Sequence, residues 1–330
     1  MRTPSRVLTA ATLLCLAWPP NGLDAQTRSN ESETADSQQH SPDTASSSAR
    51  RGPRSKPAAF RWVNPLQQKI PNVRHATFRS PSMGREVGYC ILLPPAYHSQ
   101  QDHRFPVVYY LHGGRPGDER RSVRLASYLN PHFESEAVPP MIYVFVNGGP
   151  VSHYNLPDRE DAMGADVFVK ELIPHIDRTY RTVANRSGRG IEGFSQGGRG
   201  TTRIMFRHPD LFCSAAPGGA GYATEKRISE DNGRENENLV FQPGDNVYDL
   251  AKQFARQPRR LPILIHVGTK GFNYENNLAY MQYLNSLSIP YEKLIVPGAT
   301  HSAAKIYTHS GLKLMQFHAR NFADSNRTDE

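Results

Sequence analysis

The sequence is poor in cysteine, and it has no apolar run approaching the ~20 residues that a transmembrane helix needs. Only three cysteines occur in 330 residues. Two of them, Cys90 and Cys213, lie in apolar stretches typical of buried strands, so we expect two core thiols rather than a disulfide. The thirteen histidines are scattered, with no HExxH pattern and no cysteine cluster, which argues against a metal site.

The charge balance is basic, with a net charge of +8 and a pI near 9.4. Lysines and arginines alternate with acidic residues throughout, and no basic stripe studded with aromatic residues occurs. This favours a solvated basic surface over a nucleic-acid partner. Affinity for an acidic polysaccharide or an anionic cell surface is compatible with the same charge.

The N-terminal region has the order of features found in a secretory signal. Arg2 and Arg6 precede a short apolar run, and the small-residue site LDA ends at Ala25. We predict a signal peptide over residues 1–25, a secreted or periplasmic protein, and no membrane association after cleavage. Residues 26–58 are rich in Ser, Gln, Asp, Thr and Arg, which predicts a disordered linker.

The pattern of the remaining chain predicts one α/β domain over residues 59–325. Two early strands are followed by alternating strand and helix signals, with helices expected at 161–178, 197–208, 246–256, 275–287 and 303–321. This indicates a mostly parallel central sheet flanked by helices. The polar, glycine-rich segment 218–246 interrupts the alternation and is expected to be a loop that forms a lid or cleft wall.

Two glycine motifs overlap in GRGIEGFSQGGRG, residues 188–200. The G-x-G-x-x-G dinucleotide motif needs a strand before its first glycine, but the strand here, GIEGF, lies inside the motif. The G-x-S-x-G motif instead has strand, turn and helix in the order of a nucleophile elbow. Ser195 is therefore the candidate nucleophile.

A serine nucleophile needs a base and donors for the oxyanion. His301 follows the apolar strand EKLIVP on a glycine-containing loop, where a base could reach Ser195. The amide of Gln196, after the elbow serine, and an amide from the Gly113–Gly114 loop are the candidate oxyanion donors.

The motifs YYLHGG, VNGG, GFSQGG, HPDLF and GATHS, in this order, resemble the esterase family of α/β hydrolases that includes esterase D, enterochelin-esterase-like proteins and the acetylxylan and feruloyl esterases of carbohydrate esterase family one. The resemblance covers about residues 75–320. It implies an α/β-hydrolase fold and a cofactor-free serine esterase acting on a small ester or an esterified polysaccharide. It also implies Ser195 and His301 as the catalytic pair and Gly114 and Gln196 as oxyanion donors. His112, Gly113 and Asn147 of the motifs are expected at the substrate.

The sequence departs from the family at the third member of the triad. Gly271, in HVGTKGFNYENN, stands where the resemblance leads us to expect an aspartate. Glu275 is the nearest carboxylate in that loop, although it also suits the first turn of a helix. Asp245 and Asp249 are the other candidates.

Three functions follow from these observations. The leading hypothesis is a secreted carboxylic-ester hydrolase acting on acetyl or hydroxycinnamoyl esters of polysaccharides through an acyl-enzyme. Because the expected acid is missing, a non-catalytic scaffold that binds a glycan or a partner protein is the second. The third is an acyltransferase, in which an alcohol replaces water.

Overall fold

The computed structural model describes residues 60–156, 159, 161–231, 233–236, 239–258 and 260–328. The predicted signal peptide and linker lie outside these residues. Pro57–Glu330 forms one compact unit. Within the described part of the chain, no helix has both the length and the apolar character needed to cross a membrane.

A single eight-stranded sheet forms the centre of the fold. Its strands are β1 Val73–Ser80, β2 Arg85–Leu92, β3 Val107–Leu111, β4 Ile142–Val146, β5 Arg189–Phe194, β6 Ser214–Gly218, β9 Leu264–Lys270 and β10 Glu292–Thr300. Two short strands, β7 Arg234–Asn236 and β8 Leu239–Val240, lie outside this sheet. The sheet order is β1-β2-β4-β3-β5-β6-β9-β10, and β7 pairs with β8 separately. Within the eight-stranded sheet, β2 runs antiparallel to both of its neighbours and the other pairs are parallel, which confirms the predicted sheet. β7 and β8 are antiparallel.

Helices flank this sheet, as the sequence predicts. They are α1 Ala96–Ser99, α2 Ala126–Glu134, α3 Gly164–Asp166, a π-helical turn Val167–Leu172, α4 Ile173–Thr179, α5 Gln196–Arg207, α6 Tyr222–Glu230, α7 Val247–Ala255, α8 Tyr274–Ser286 and α9 Ala303–Thr328, with single 3₁₀ turns at Val123–Leu125 and Arg186–Gly188. All five predicted helical regions are present. Four agree with their expected bounds within three residues, and α9 extends seven residues beyond its predicted end, to Thr328. The sequence pattern did not predict the four-residue α1, nor α2, which contains Pro131, nor α6, which lies in a polar segment.

The central strands are buried on both faces, which explains their unbroken apolar sequences. In β3, Val107, Tyr109 and Leu111 belong to one core cluster, whereas Val108 and Tyr110 belong to another. Successive side chains of a strand point to opposite faces, so the two clusters lie on opposite sides of the sheet. The catalytic candidates at the strand ends therefore rest on a fully packed support.

The segment 218–246 is more ordered than a loop, because it contains α6 and the β7–β8 hairpin. Glu225 of α6 is fully buried and accepts hydrogen bonds from Arg199 Nε at 2.8 Å, from the Val247 amide at 3.1 Å and from the Tyr154 hydroxyl. Glu235 of the hairpin pairs with Arg199 and with Arg115. Buried ion pairs therefore hold this segment in place. Its polar composition, which is typical of a loop, does not indicate these pairs.

The two thiols are as expected from the sequence. Cys90 and Cys213 are both buried and both free. Burial raises the pKa of each thiol, so both remain protonated at neutral pH.

Candidate active site

Ser195 lies in the sharp turn between β5 and α5. Its backbone has φ 61° and ψ −116°, a left-handed conformation that is costly for a residue with a side chain. The turn is held by a hydrogen bond from the Ser195 amide to the Gly218 carbonyl at 2.9 Å. This geometry lifts the hydroxyl above the end of the sheet and starts a helix directly behind it, as a nucleophile elbow does.

His301 reaches the elbow because β10 is irregular at its end. Val296 pairs with Gly268 of β9 but Thr300 pairs with Lys270, so β10 carries extra residues between these two pairs. Gly298, at φ +72°, occupies this bulge, and its amide donates to Thr269 Oγ1 at 2.9 Å. Bulges bend a strand and redirect the residues beyond them. The bulge thus carries His301 to the edge of the sheet where Ser195 lies.

The imidazole of His301 and the hydroxyl of Ser195 are in direct contact. His301 Nε2 lies 2.9 Å from Ser195 Oγ. The ring packs between Phe194, at 4.9 Å between centroids, and Phe272, at 4.1 Å. Phe272 itself is 82% exposed. These two rings restrict the imidazole to an orientation in which Nε2 faces the serine.

Asn273 occupies the position behind His301 where a triad acid would stand. Its Oδ1 lies 3.2 Å from His301 Nδ1. Its Nδ2 donates to the carbonyl oxygens of Gly219 and, at 3.0 Å, Ala220. Carbonyl oxygens only accept hydrogen bonds, so the amide must turn its NH2 towards them and its oxygen towards the histidine. His301 Nδ1 is then the donor, and Nε2 keeps the lone pair that a general base needs.

The three carboxylates considered from the sequence do not contact His301. Glu275 is exposed in the first turn of α8, so its assignment as the orienting acid is wrong in this geometry. Asp245 pairs with Arg203 and Arg207. Asp249 accepts from Asn246 Nδ2 at 2.7 Å as part of the N-terminal cap of α7. The loop instead presents Asn273 to His301, because two backbone hydrogen bonds, from the Gly271 amide to Gly268 at 3.0 Å and from the Tyr274 amide to Gly271 at 2.9 Å, turn the chain before α8 begins at Tyr274.

The amides of Gly114 and Gln196 are available to an oxyanion. Neither donates a hydrogen bond within the part of the chain that the structure describes. Gln196 is the first residue of α5, whose N-terminus favours negative charge. Gly113 allows its loop to approach the Ser195 turn closely, because a Cβ at this position would lie only 3.2 Å from Ser195 Cβ and 3.0 Å from the Phe194 carbonyl oxygen. Gly113 and Gly114 both line the cleft at Ser195.

His112 and Asn147 are not in the cleft, contrary to the expectation that they bind substrate. Both side chains are 1% exposed. His112 Nε2 accepts from the Gly148 amide at 3.1 Å, and Asn147 Nδ2 donates to Glu119 at 2.8 Å and to the Trp62 carbonyl at 3.1 Å. These two residues therefore have a structural role: they connect the segment at the end of β4 to the chain that follows β3 and to Trp62.

The cleft at Ser195 is small, with a volume of about 250 Å³. Its lining includes the catalytic candidates, aromatic side chains from the sheet and one cation: Tyr110, Gly113, Gly114, Arg121, Ser122, Phe194, Ser195, His301 and Ala303. Segment 218–246, expected as a cleft wall, contributes none of these residues. Among the residues that the structure describes, no group of three His, Cys, Asp or Glu side chains is arranged to hold a metal ion.

Comparison with known proteins places this site in a family. The model of the family described as Putative esterase matches residues 80–287. The chain belongs to this family. An esterase of Mycobacterium tuberculosis is 28% identical over 149 residues, which are 44% of this chain and 32% of the relative. An endo-1,4-beta-xylanase/feruloyl esterase of Xylanibacter ruminicola is 27% identical over 153 residues, 43% of this chain and 20% of the relative. The chain thus spans at most about a third of the length of these relatives.

Solved structures of low identity share the fold of this esterase-family chain. A ferulic acid esterase has a TM-score of 0.63 at 20% identity, covering 76% of this chain and 98% of that one. The S-formylglutathione hydrolase of Agrobacterium tumefaciens has a TM-score of 0.62 at 17% identity, covering 79% and 100%. These likenesses confirm the α/β-hydrolase fold.

Asn273 and Phe272 are contacts of His301 that the sequence did not identify, and Arg121 of the cleft lining was not identified either. Asn273 and Phe272 lie in the loop after β9, the one in which the acid was sought. A carboxylate is the usual partner of a catalytic histidine, but an amide oxygen accepts the same hydrogen bond. Asn273, a side-chain acceptor in this loop, therefore meets the same requirement.

The reactivity of Ser195 should depend on pH through His301. Burial lowers the pKa of His301 below its ordinary value of 6.5, because it disfavours the imidazolium. Only neutral His301 can accept the serine proton, so the rate of Ser195 labelling by a fluorophosphonate should fall with decreasing pH, with a midpoint below 6.5. Mass spectrometry of timed samples measures this rate.

The control for this titration is His301→Gln, which should label slowly and without a step in that pH range. A midpoint above 6.5 would contradict the desolvation of His301. A wild-type profile identical to that of His301→Gln would contradict its action as the base.

Proposed function

We propose that this protein is a serine carboxylic-ester hydrolase in which Ser195, His301 and Asn273 form the catalytic relay. The observation that carries the proposal is the pair of contacts on His301: Nε2 at 2.9 Å from Ser195 Oγ, and Nδ1 at 3.2 Å from an amide oxygen of fixed orientation. Membership in the esterase family supports the same reaction class.

Acylation begins with proton transfer from Ser195 to His301. Ser195 Oγ attacks the ester carbonyl as His301 Nε2 takes its proton, and the carbonyl oxygen becomes an oxyanion. The amides of Gly114 and Gln196 stabilise this charge, since they are directed by the backbone and need no reorganisation. The tetrahedral intermediate then expels the alcohol, which receives the proton from His301. Water repeats the sequence on the acyl-enzyme and releases the acid.

Asn273 orients the imidazole but supplies no negative charge to the imidazolium. Once His301 is an imidazolium, the Asn273 oxygen accepts a hydrogen bond from a charged group, worth about 1.5–3 kcal/mol, but it lacks the additional attraction that the full negative charge of a carboxylate would provide. We therefore expect a turnover about tenfold below that of an otherwise equal site with a carboxylate, because ~1.4 kcal/mol corresponds to one factor of ten. Such a site is slower but still catalytic.

We propose acetyl or hydroxycinnamoyl esters of polysaccharides as substrates. The cleft of about 250 Å³ accepts a small acyl group, and the exposed ring of Phe272 beside His301 offers a surface for an aromatic one. A relative is named a feruloyl esterase. The signal-like residues 1–25 support secretion or a periplasmic location, where such polymers are encountered.

Hydrolysis of p-nitrophenyl acetate and methyl ferulate tests the proposed function. The wild type should hydrolyse at least one of these esters, and Ser195→Ala should abolish turnover. Asn273→Ala should lower kcat by roughly 10- to 100-fold with KM little changed, because the histidine loses its orientation but the cleft is intact. Steady-state kinetics with each variant measures these effects.

The non-catalytic scaffold predicts a different outcome. If Ser195 forms no adduct with a fluorophosphonate in the folded wild type and neither ester is hydrolysed, the hydrolase proposal is wrong. If turnover rises when alcohols are added and the transferred acyl product accumulates, the enzyme is an acyltransferase instead.

Replacing Gly271 tests whether charge is what the site lacks. A Cβ at Gly271 would lie 3.2 Å from the Gly268 carbonyl oxygen, a tight contact that a small backbone shift must relieve. It would also lie 3.5 Å from Asn273 Oδ1 and 3.7 Å from the His301 amide nitrogen, so a side chain there lies beside the relay. Gly271→Asp should raise kcat about tenfold and raise the pKa of His301, because a carboxylate stabilises the imidazolium.

The matched control is Gly271→Asn, which has the same shape without the charge and should leave kcat near that of the wild type. If Gly271→Asp and Gly271→Asn change kcat by the same factor, whether upward or downward, the missing carboxylate does not limit turnover.

A further inference from the structure

A second cavity adjoins the Ser195 cleft and meets it at Arg121. It has a volume of about 500 Å³ and is lined by residues from 60–70 and 116–124. We call it the arginine groove. Arg121 lines both this groove and the cleft that contains Ser195 and His301. The two cavities thus share Arg121 at their border, which places the groove next to the position of an ester at Ser195.

The groove has more cationic than anionic side chains. Arg120, Arg121 and Arg124 line it, and Asp118 is the one carboxylate in its lining. Asp118 is already paired with Arg120, whose Nη2 donates to Oδ2 at 2.9 Å and whose Nε donates to Oδ1 at 3.2 Å. Among the residues that the structure describes, no carboxylate forms an ion pair with Arg121 or Arg124.

Arg121 is held beside the proposed oxyanion site. Its Nη1 donates to the Pro116 carbonyl at 2.6 Å, and its Cζ lies 2.9 Å from where a Cβ on Gly114 would be. The absence of that Cβ lets the guanidinium pack on the loop, and no carboxylate pairs with Arg121 among the residues that the structure describes. The side chain is exposed, so its remaining N–H groups face solvent and can bind an anion.

The groove also offers neutral polar contacts. Gln67 and Gln68 line it, and both are exposed. Amide side chains donate to and accept from hydroxyl groups, which suits a sugar ring. The volume is twice that of the cleft at Ser195, so the groove suits the larger, hydrated part of an ester, which in a carbohydrate ester is the alcohol.

We propose that the arginine groove binds the alcohol part of the substrate, and that this part carries carboxylates, as an oligosaccharide containing uronic acid does. Arg121 and Arg124 pair with the carboxylates, and Gln67 and Gln68 bind sugar hydroxyls. The inference rests on the proposed hydrolase function and specifies its substrate class: acyl esters of acidic rather than neutral polysaccharides.

Binding to a catalytically inert protein tests the groove separately from hydrolysis. In the Ser195→Ala background, calorimetry with trigalacturonate should show binding that weakens with added salt, because the attraction is between exposed charges. The fully methyl-esterified trisaccharide, which has the same backbone without charge, should bind more weakly. Adding Arg121→Gln should weaken trigalacturonate binding about tenfold, as expected for a charge-assisted hydrogen bond.

The matched control is Arg79→Gln, since Arg79 is exposed on β1 and lines neither cavity. It should leave the affinity for trigalacturonate unchanged. Equal binding of the acid and its methyl ester, or equal effects of Arg121→Gln and Arg79→Gln, would overturn the proposal and leave a merely solvated basic surface.

Kinetics then distinguishes substrate binding from an effect on the oxyanion. Arg121→Gln should lower about tenfold the ratio of kcat/KM for acetylated trigalacturonate to kcat/KM for p-nitrophenyl acetate. An equal loss on both esters would place Arg121 at the oxyanion and overturn the subsite. If the wild type hydrolyses neither ester, the hydrolase function fails, while the binding experiment still decides whether the groove takes acidic sugars.

Discussion

The hydrogen bonds of one buried amide, Asn273, determine what the rest of this site can do. Its NH2 group is committed to the carbonyls of Gly219 and Ala220, so its oxygen faces His301 Nδ1. The carbonyls cannot donate, and the imidazole must therefore place its proton on Nδ1. Every catalytic property inferred for Ser195 depends on this tautomer, because only then does Nε2 present a lone pair to the hydroxyl.

The surrounding fold keeps these groups in position. The bulge in β10 brings His301 to the sheet edge, and the strained turn at Ser195 raises the hydroxyl to meet it. Gly219 and Ala220 begin the segment that buried Glu225 fixes to α5. The orientation of Asn273 is therefore coupled to the packing of α6, which is distant from Ser195 in the chain. Function at this site rests on backbone carbonyls and buried ion pairs as much as on the catalytic side chains.

The sequence was sufficient for the fold and for the local geometry of the serine, but not for the residues that meet it from elsewhere. Alternating apolar strands and helices determine the sheet, and the glycines around Ser195 require a tight turn. The helix predicted at 275–287 already places Glu275 in a first turn, but neither pattern shows that Asn273, directly before this helix, faces His301. His112 and Asn147 were misassigned because a polar residue in a glycine-rich motif looks the same whether it binds substrate or a neighbouring loop. These distinctions depend on tertiary packing.

Nitrogen NMR of the wild-type protein with isotope-labelled histidine tests the central claim most directly. The His301 signals can be assigned by their loss in His301→Gln, and the shifts of the two ring nitrogens report which one carries the proton. At a pH where His301 is neutral, the account predicts the proton on Nδ1 and a free lone pair on Nε2, with this preference lost in Asn273→Ala. A proton on Nε2 in the wild type would mean that Asn273 does not set the tautomer, and it would contradict the proposed relay.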